Sequence, residues 1–125
     1  MADALQVELV AADRIVWSGE ATQVNARTAD GEIGILRGHT PVMSLLAPSV
    51  VEIVTDGSTV IAAVDSGFIS VANDRVSLLS EHARLGSEVD LEAARAELEE
   101  ARGEDGDEAR IAGLEAQVKA GERAS

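Results

Sequence analysis

Residues 50–79 read VVEIVTDGSTVIAAVDSGFISVANDRVSLL and contain four short segments rich in β-branched and aliphatic side chains. These segments, at 50–55, 59–64, 68–71 and 76–79, are separated by Asp-Gly, Ser-Gly and Asn-Asp pairs, which are common turn sequences. Strands spaced this closely and joined by tight turns are typical of an antiparallel sheet that folds over itself as a sandwich or a barrel.

The same pattern extends toward the N-terminus. Every second residue from Leu5 to Leu9 is apolar, and further strand-like segments cover residues 14–18 and 22–28. A chain of 125 residues is long enough to bury one sizeable core. We therefore predict that residues 1–86 form a β-sandwich domain.

After this domain, a helical period replaces the period of two. Ser87 and Asp90 are both candidate N-caps for a first helix, whose apolar residues recur at three- and seven-residue spacing. Asp107 is a candidate cap for a second helix with the same spacing, and Gly121 is predicted to end it. Residues 87–125 are therefore predicted to form an antiparallel two-helix hairpin, which makes the chain α+β and mostly β.

Composition excludes several classes of function. The chain has 23 acidic and 10 basic residues, a net charge of −13, which opposes binding to nucleic acid or anionic lipid. Trp17 and Phe68 are its two aromatic residues, so it has little surface for stacking bases. It lacks cysteine, the basic region of a secretory signal and any apolar run near the ~20 residues of a membrane span. We expect a cytoplasmic protein that does not insert into the membrane.

The sequence offers little enzymatic chemistry. No G-x-S-x-G nucleophile motif accompanies the two histidines, His39 and His82, and no G-x-x-x-x-G-K-[ST] phosphate loop is present. The acidic run from Glu104 to Glu108 departs from calcium-loop spacing, so a solvated loop between helices is the favoured interpretation. We predict no catalytic residue, no metal site and no cofactor.

One segment, residues 27–41, stands out because RTADGEIGILRGHTP places three glycines within eight residues. This composition predicts a specially shaped surface loop between strands. On composition alone, the favoured interpretation is two tight turns in which Gly31, Gly34 and Gly38 supply positive φ angles.

The segment resembles the epsilon subunit of bacterial F-type ATP synthases, whose pattern is roughly G-E-[IL]-G-[IL]-L-P-G-H-x-P. The match covers residues 31–36 and 38–41, with Arg37 in place of the usual proline. Residues 66–71 resemble the G-G-F-x-x-V segment of that family, with Ser66 in place of the first glycine. A β-sandwich followed by a two-helix hairpin is also the arrangement of that family, so the resemblance covers nearly the whole chain.

The resemblance implies a non-catalytic rotor subunit of a proton-translocating synthase, peripheral to the cytoplasmic face of the bacterial cell membrane. It would couple the gamma subunit of the central stalk to the membrane c-ring. The resemblance assigns the contact with the polar loops of the c-ring to Gly31, Glu32, Arg37, Gly38 and His39. An acid and a histidine on an exposed segment can form charge-assisted hydrogen bonds with such loops.

The resemblance also implies that the hairpin can extend toward the catalytic subunits and restrain ATP hydrolysis, with Arg102, Arg110 and Lys119 as contacts. Residues 88–125 carry a net charge of −7, which opposes approach to an acidic partner. The family's nucleotide motif, [IL]-D-x-x-R-A, is out of register because Arg95 comes two residues late, about 200° around a helix. We therefore predict no nucleotide site.

Two alternatives remain open. A stand-alone β-sandwich binding module with a self-associating hairpin would share the fold but would not need the glycine-rich segment. A small enzyme would use His39 with Asp30 or Glu32 as an acid–base pair. Substituting both Glu32 and His39 should be silent if the segment is only a turn.

Overall fold

The computed structural model describes residues 4–103 and 107–124. Within these residues, ten strands precede two helices. The strands are β1 Leu5–Val10, β2 Ile15–Ala21, β3 Gln23–Thr28, β4 Gly31–Leu36, β5 Val42–Leu46, β6 Ser49–Thr55, β7 Ser58–Val64, β8 Gly67–Ala72, β9 Arg75–Ser80 and β10 Ala83–Leu85. A 3₁₀ turn at Gly86–Glu88 leads to the helices α1 Leu91–Gly103 and α2 Glu108–Ala124.

The strands form one continuous sheet in the order β10-β7-β6-β3-β5-β8-β9-β1-β2, with β4 attached to β3. Neighbouring strands are antiparallel except β1 and β9, which are parallel. The sheet curls until β2 approaches β6 and β10, so it is nearly barrel-shaped. The predicted fold class, a mostly β N-terminal part followed by two helices, is confirmed.

The core lies inside the curled sheet and follows the period-two pattern of the sequence. In β1, Leu5, Val7 and Leu9 are buried while Gln6 and Glu8 are exposed. The other strands contribute mainly aliphatic side chains, as the scarcity of aromatic residues requires. The largest fully buried side chains are Leu5, Leu9, Ile35, Ile53, Ile69, Leu78, Val24, Val51, Val64, Val71 and Val76.

Three strands, β4, β5 and β10, are absent from the sequence prediction. The prediction of a loop through residues 27–41 is wrong over Gly31–Leu36, where β4 pairs with β3 along its whole length. Ile33 and Ile35 point toward the core and give this strand an apolar face. That burial outweighs the low strand propensity of glycine.

Aspartates cap both helices. The Asp90 carboxylate accepts a hydrogen bond from the Ala93 N–H at 3.1 Å, which settles the choice between Ser87 and Asp90. The Asp107 carboxylate accepts one from the Ala109 N–H at 3.0 Å, as predicted. The predicted loop between the helices falls partly on residues 104–106, which lie outside the described residues.

The prediction that Gly121 ends α2 is wrong, because the helix continues to Ala124. Gly121 is buried where the two helices meet, and a Cβ built there would lie 2.8 Å from Leu91 Cδ2. The glycine therefore allows close packing instead of terminating the helix.

The hairpin lies against the sheet through α2, which packs on β6 and β7, while α1 packs on α2. Within the described parts of the chain, neither helix is long and apolar enough to span a bilayer.

Candidate partner-binding surfaces

The turn between β3 and β4 is held by Thr28. Its buried hydroxyl donates to the Gly31 carbonyl at 2.9 Å and accepts from the Asp30 N–H at 3.1 Å. Gly31 has a φ of 121°, a conformation that favours glycine. The turn at this end of β4 therefore has a defined shape.

Glu32 follows this turn and projects into solvent. It lies opposite Arg27, with its Oε1 3.9 Å from the guanidinium, and its side chain is 82% exposed. An ion pair this long and exposed contributes little to stability. The carboxylate is therefore accessible to a partner.

The other end of β4 is tied to the turn between β8 and β9. The Gly38 N–H donates to the Asp74 carboxylate at 2.6 Å, and Gly38 has a φ of 82°. Asn73 and Asp74 both have positive φ, 51° and 61°, so this second turn is also sharply shaped. His39 Nδ1 lies 2.6 Å from the Thr40 carbonyl oxygen, and Arg37 is exposed beside it.

The structure does not gather the five predicted contact residues into one cluster. Gly31 and Glu32 lie at one end of β4, whereas Arg37, Gly38 and His39 lie beyond the other end. At ~3.3 Å per residue, β4 alone separates these ends by more than ~13 Å. The hypothesis of an acid–base pair between His39 and Asp30 or Glu32 is therefore wrong.

The interpretation that all three glycines supply positive φ is correct for Gly31 and Gly38 and wrong for Gly34. Gly34 lies inside β4, opposite Asn25 of β3. A Cβ built on Gly34 would lie 3.3 Å from Asn25 Oδ1, tighter than ordinary van der Waals contact. This glycine therefore leaves room for a neighbouring side chain.

An exposed row of apolar side chains crosses five strands, and no sequence motif marks it. The members of this apolar row are successive cross-strand partners: Leu45, Phe68, Leu79, Val10 and Ile15. Leu45, Phe68, Leu79 and Ile15 are 54, 50, 47 and 59% exposed. Cross-strand partners share one face of a sheet, so these side chains form a continuous strip.

Met43 extends the apolar row along β5. It lies two residues before Leu45, on the same face, and is 72% exposed. Contiguous exposed apolar side chains mark protein contact sites. The available sequence signal was the set of apolar residues at the strand positions that alternate with the core.

The three basic residues predicted to contact catalytic subunits do not all lie on one side of the hairpin. Arg102 forms an ion pair with Glu115 at 2.6 Å, within the hairpin. Arg110 and Lys119 are both exposed on α2, but nine residues place them on opposite sides of a helix. Arg95, the displaced nucleotide-motif residue, pairs with Glu122 at 2.8 Å.

Two ion pairs join the C-terminal region to the β-domain. Arg14 donates to Glu88 through both guanidinium nitrogens, at 3.1 and 2.8 Å. Arg123, near the end of α2, pairs with Glu52 of β6. Hydrogen bonds from Arg14 and from Arg123 are the largest causes that hold the pKa values of Glu88 and Glu52, respectively, below the ordinary value of 4.5.

Nothing in the described residues suggests a metal centre. No group of three or more histidine, cysteine, aspartate or glutamate side chains there is placed to hold a metal ion. The distinctive surfaces are those suited to macromolecular contacts: the apolar row and the two ends of β4.

Comparison with known proteins identifies the family. A family model described as the ATP synthase delta/epsilon chain beta-sandwich domain matches residues 4–86. The ATP synthase epsilon chain of Streptomyces avermitilis is 55% identical over 105 residues, covering 83% of this chain and 85% of that relative. The corresponding chain of Rhodococcus opacus is 46% identical over 123 residues, covering 96% and 98%.

Solved structures agree with the sequence comparison. One similar chain comes from the OSCP/F1/c-ring assembly of the Euglena gracilis mitochondrial ATP synthase. The match has a TM-score of 0.75 and 26% identity, and it covers 99% of this chain and 82% of the Euglena chain. A chain of the central stalk and c-ring of the Tetrahymena thermophila mitochondrial ATP synthase shares the fold, with a TM-score of 0.58 and 13% identity over 69% of each chain. This chain therefore belongs to the ATP synthase epsilon chain family.

Proposed function

We propose that this chain is a non-catalytic subunit of the central stalk, which joins the gamma subunit to the polar loops of the c-ring at the cytoplasmic face of the membrane. The apolar row carries this proposal, because a small acidic domain that exposes a strip of Leu, Phe and Ile side chains needs a protein partner to cover them. Family membership supports the choice of the gamma subunit as that partner.

The apolar row is the proposed surface for the gamma subunit. Its side chains are about half exposed, so docking would remove the remaining half of each from water. Completing the burial of one such side chain contributes about 1 kcal/mol, and the adjacent residues of the strip act together. Ser70 and Ser77, on the neighbouring positions of β8 and β9, provide a polar margin of the kind found around protein interfaces.

The outer side of β4 is the proposed surface for the c-ring. Glu32 at one end and His39 near the other lie too far apart to grip one small loop, but a ring presents the same loop repeatedly. An extended strand can contact more than one of these loops at once. The fixed turns at Gly31 and Gly38 hold the two ends in place, and Arg37 adds a cation at the second.

The continuous sheet supports a coupling role. Hydrogen bonds connect its strands into one continuous path, although β3 and β5 pair only at Thr28 and Leu46, and its core is buried and aliphatic. Such an element resists local opening, which is what a part that transmits torque requires.

The gamma surface is tested by co-expressing the chain with the gamma subunit from the same organism and measuring complex formation by size-exclusion chromatography. We expect a one-to-one complex that is lost when Leu45→Ser and Phe68→Ser are combined. Leu36→Ser is the matched control, because Leu36 is also exposed, at 57%, but lies on β4 outside the row. Elution of the wild-type chain alone would favour a stand-alone binding module, and wild-type binding by the double variant would overturn the assignment of the surface.

The c-ring surface is tested by combining Glu32→Gln with His39→Gln in the assembled, membrane-bound synthase. We expect proton pumping driven by ATP to fall relative to ATP hydrolysis, because rotation is no longer transmitted fully to the ring. Unchanged coupling would refute the proposed role of the two residues.

A regulatory role of the hairpin is proposed for Arg110 and Lys119, which lie exposed on α2. If they reach the catalytic subunits when the hairpin extends, replacing both with glutamine should increase ATP hydrolysis by the assembled synthase. Any effect of Arg102→Gln on ATP hydrolysis would have a different cause, because this residue already pairs with Glu115 inside the hairpin. Unchanged hydrolysis in the Arg110 and Lys119 double variant would refute these contacts.

A further inference from the structure

The apolar seam between the hairpin and the sheet is narrow. It consists of Ala116 and Ala120 on α2 against Ala63 on β7, with Val50 and Ile61 packed at its margin. Alanine buries little apolar area, so this seam stabilises the packed hairpin less than leucine or isoleucine contacts would. Polar contacts across the same junction therefore contribute a larger share of the free energy that keeps the hairpin packed on the sheet.

One chain of hydrogen bonds crosses this junction from β3 to the end of α2. Gln23 Nε2 donates to Asn25 Oδ1 at 2.8 Å, and Asn25 Nδ2 donates to Glu52 Oε1 at 3.1 Å. The other carboxylate oxygen of Glu52 accepts from Arg123. These four residues, Gln23, Asn25, Glu52 and Arg123, are here termed the clasp.

Glu52 is the central member of the clasp because it has a partner on each side. Its side chain is 29% exposed and that of Arg123 is 47% exposed, so the pair is partly shielded from water. Asn25 occupies one carboxylate oxygen and directs the other toward α2. An oriented carboxylate loses less side-chain entropy when the arginine binds than a freely rotating one would.

Gly34 keeps the clasp in position from the neighbouring strand. It lies opposite Asn25, and its backbone does not have a positive φ, so conformational freedom does not explain the glycine. A Cβ at this position would press on Asn25 Oδ1 at 3.3 Å, the atom that accepts from Gln23. A side chain on β4 would therefore displace the amide that orients Glu52.

We propose that the clasp determines what fraction of molecules hold the helical hairpin on the sheet, and that Gly34 is a positioning residue for it. The clasp also links the β3–β4 hairpin physically to the C-terminal end of α2. Its regulatory meaning rests on the proposed function, because release of the hairpin matters only if the hairpin has partners in the synthase. The clasp itself is a property of the isolated chain.

The test is a distance measurement on the full-length chain. The sequence contains no cysteine, so Asp56→Cys in the β6–β7 turn and Glu99→Cys on α1 supply the two attachment points for spin labels. Pulsed electron paramagnetic resonance then measures the distribution of distances between the β-domain and the hairpin. Far-UV circular dichroism on each variant checks that strands and helices remain formed.

We expect Glu52→Gln and Arg123→Gln each to raise the ratio of long to short distances about three- to tenfold, the range for loss of a partly exposed, hydrogen-bonded ion pair. Gly34→Ala should shift the ratio in the same direction by a smaller factor. Combining Glu52→Arg with Arg123→Glu should restore the wild-type distribution only in part, because it keeps a reversed ion pair but the new guanidinium cannot accept the hydrogen bond from Asn25. Arg102→Gln is the matched control, because it breaks an exposed ion pair of comparable length that lies within the hairpin.

Wild-type distributions in both Glu52→Gln and Arg123→Gln would overturn the clasp, as would an equal shift in Arg102→Gln. A wild-type distribution in Gly34→Ala alone would overturn the role of Gly34. The gamma-binding measurement on the same variants separates the two proposals, because the apolar row does not include a clasp residue. Unchanged distance distributions in the clasp variants, with gamma binding intact, would refute the clasp alone. Shifted distributions in these variants, with no gamma binding even by the wild-type chain, would refute the proposed function alone.

Discussion

Gly86 allows α2 to approach the sheet, and Gly86→Ala should separate the hairpin from the β-domain. A Cβ at this position would lie 2.4 Å from the Ala120 carbonyl oxygen and 2.9 Å from Ala124 Cβ, whereas ordinary contact begins at 3.4 Å. The helix must therefore retreat by about 1 Å, a gap that removes a quarter to a half of the attraction between facing atoms. Gly86 does not have a positive φ, so the effect is steric. We expect a loss of about 2 kcal/mol in the free energy of unfolding, within the usual range for overpacking.

Urea unfolding followed by two probes checks this prediction. Trp17, the single tryptophan, lies on β2 and reports on the β-domain, whereas far-UV circular dichroism is dominated by the helices. In Gly86→Ala the helical signal should be lost at lower urea concentration than the tryptophan signal. Gly113→Ala is the control, because the nearest atom to its Cβ would be Asp65 Oδ1 at an ordinary 3.7 Å. It should stabilise α2 by up to about 1 kcal/mol. Coincident, unshifted transitions in Gly86→Ala would refute the steric argument.

Three further predictions concern two positions inside the β-domain and the ion pair that joins it to the C-terminal region. Gly67→Ala would place a Cβ 1.9 Å from the Leu79 carbonyl oxygen, so urea unfolding should show a loss of about 3 kcal/mol, and a loss below about 1 kcal/mol would contradict it. Thr28→Val removes a buried hydroxyl that makes two main-chain hydrogen bonds in the β3–β4 turn. Calorimetry should show a loss of about 1–3 kcal/mol in the free energy of unfolding, and an unchanged melting temperature would be inconsistent with that role. Glu88→Gln should lower stability at pH 7 and have no effect in acid. The hydrogen bond from Arg14 lowers the pKa of Glu88 below 4.5, so its contribution is complete above pH 4.5 and is lost as pH falls through the lowered pKa. A difference between wild type and variant that persists in acid would argue against this ion pair.

The sequence of the glycine-rich segment predicts the family and the turns, but not the strand that the segment forms. Its residues suffice to recognise the family, and positive φ at Gly31 and Gly38 follows from ordinary turn chemistry. The sequence does not reveal that Gly31–Leu36 is a paired strand, because its inward face is only Ile33 and Ile35. Pairing with β3 compensates for the poor strand propensity, and that pairing is a property of the folded sheet.

The candidate surfaces likewise depend partly on the sequence motif and partly on the folded sheet. Glu32 and His39 are identified by their place in the motif, but their position at opposite ends of a strand depends on the turns that flank it. The apolar row consists of residues that are far apart in the sequence, such as Ile15, Leu45 and Leu79. Strand register brings them together, and register is set by the sheet as a whole.

Composition, local periodicity, capping residues and short motifs predict the acidic charge, the mostly β domain, the two capped helices and the family. It takes the folded molecule to show that the hairpin lies on β6 and β7, that Gly34, Gly86 and Gly121 serve close packing, and that Arg123 meets Glu52. These contacts join residues that are far apart along the chain. Residues 71 positions apart interact only after the sheet has curled and α2 has docked, and neither step leaves a local signal.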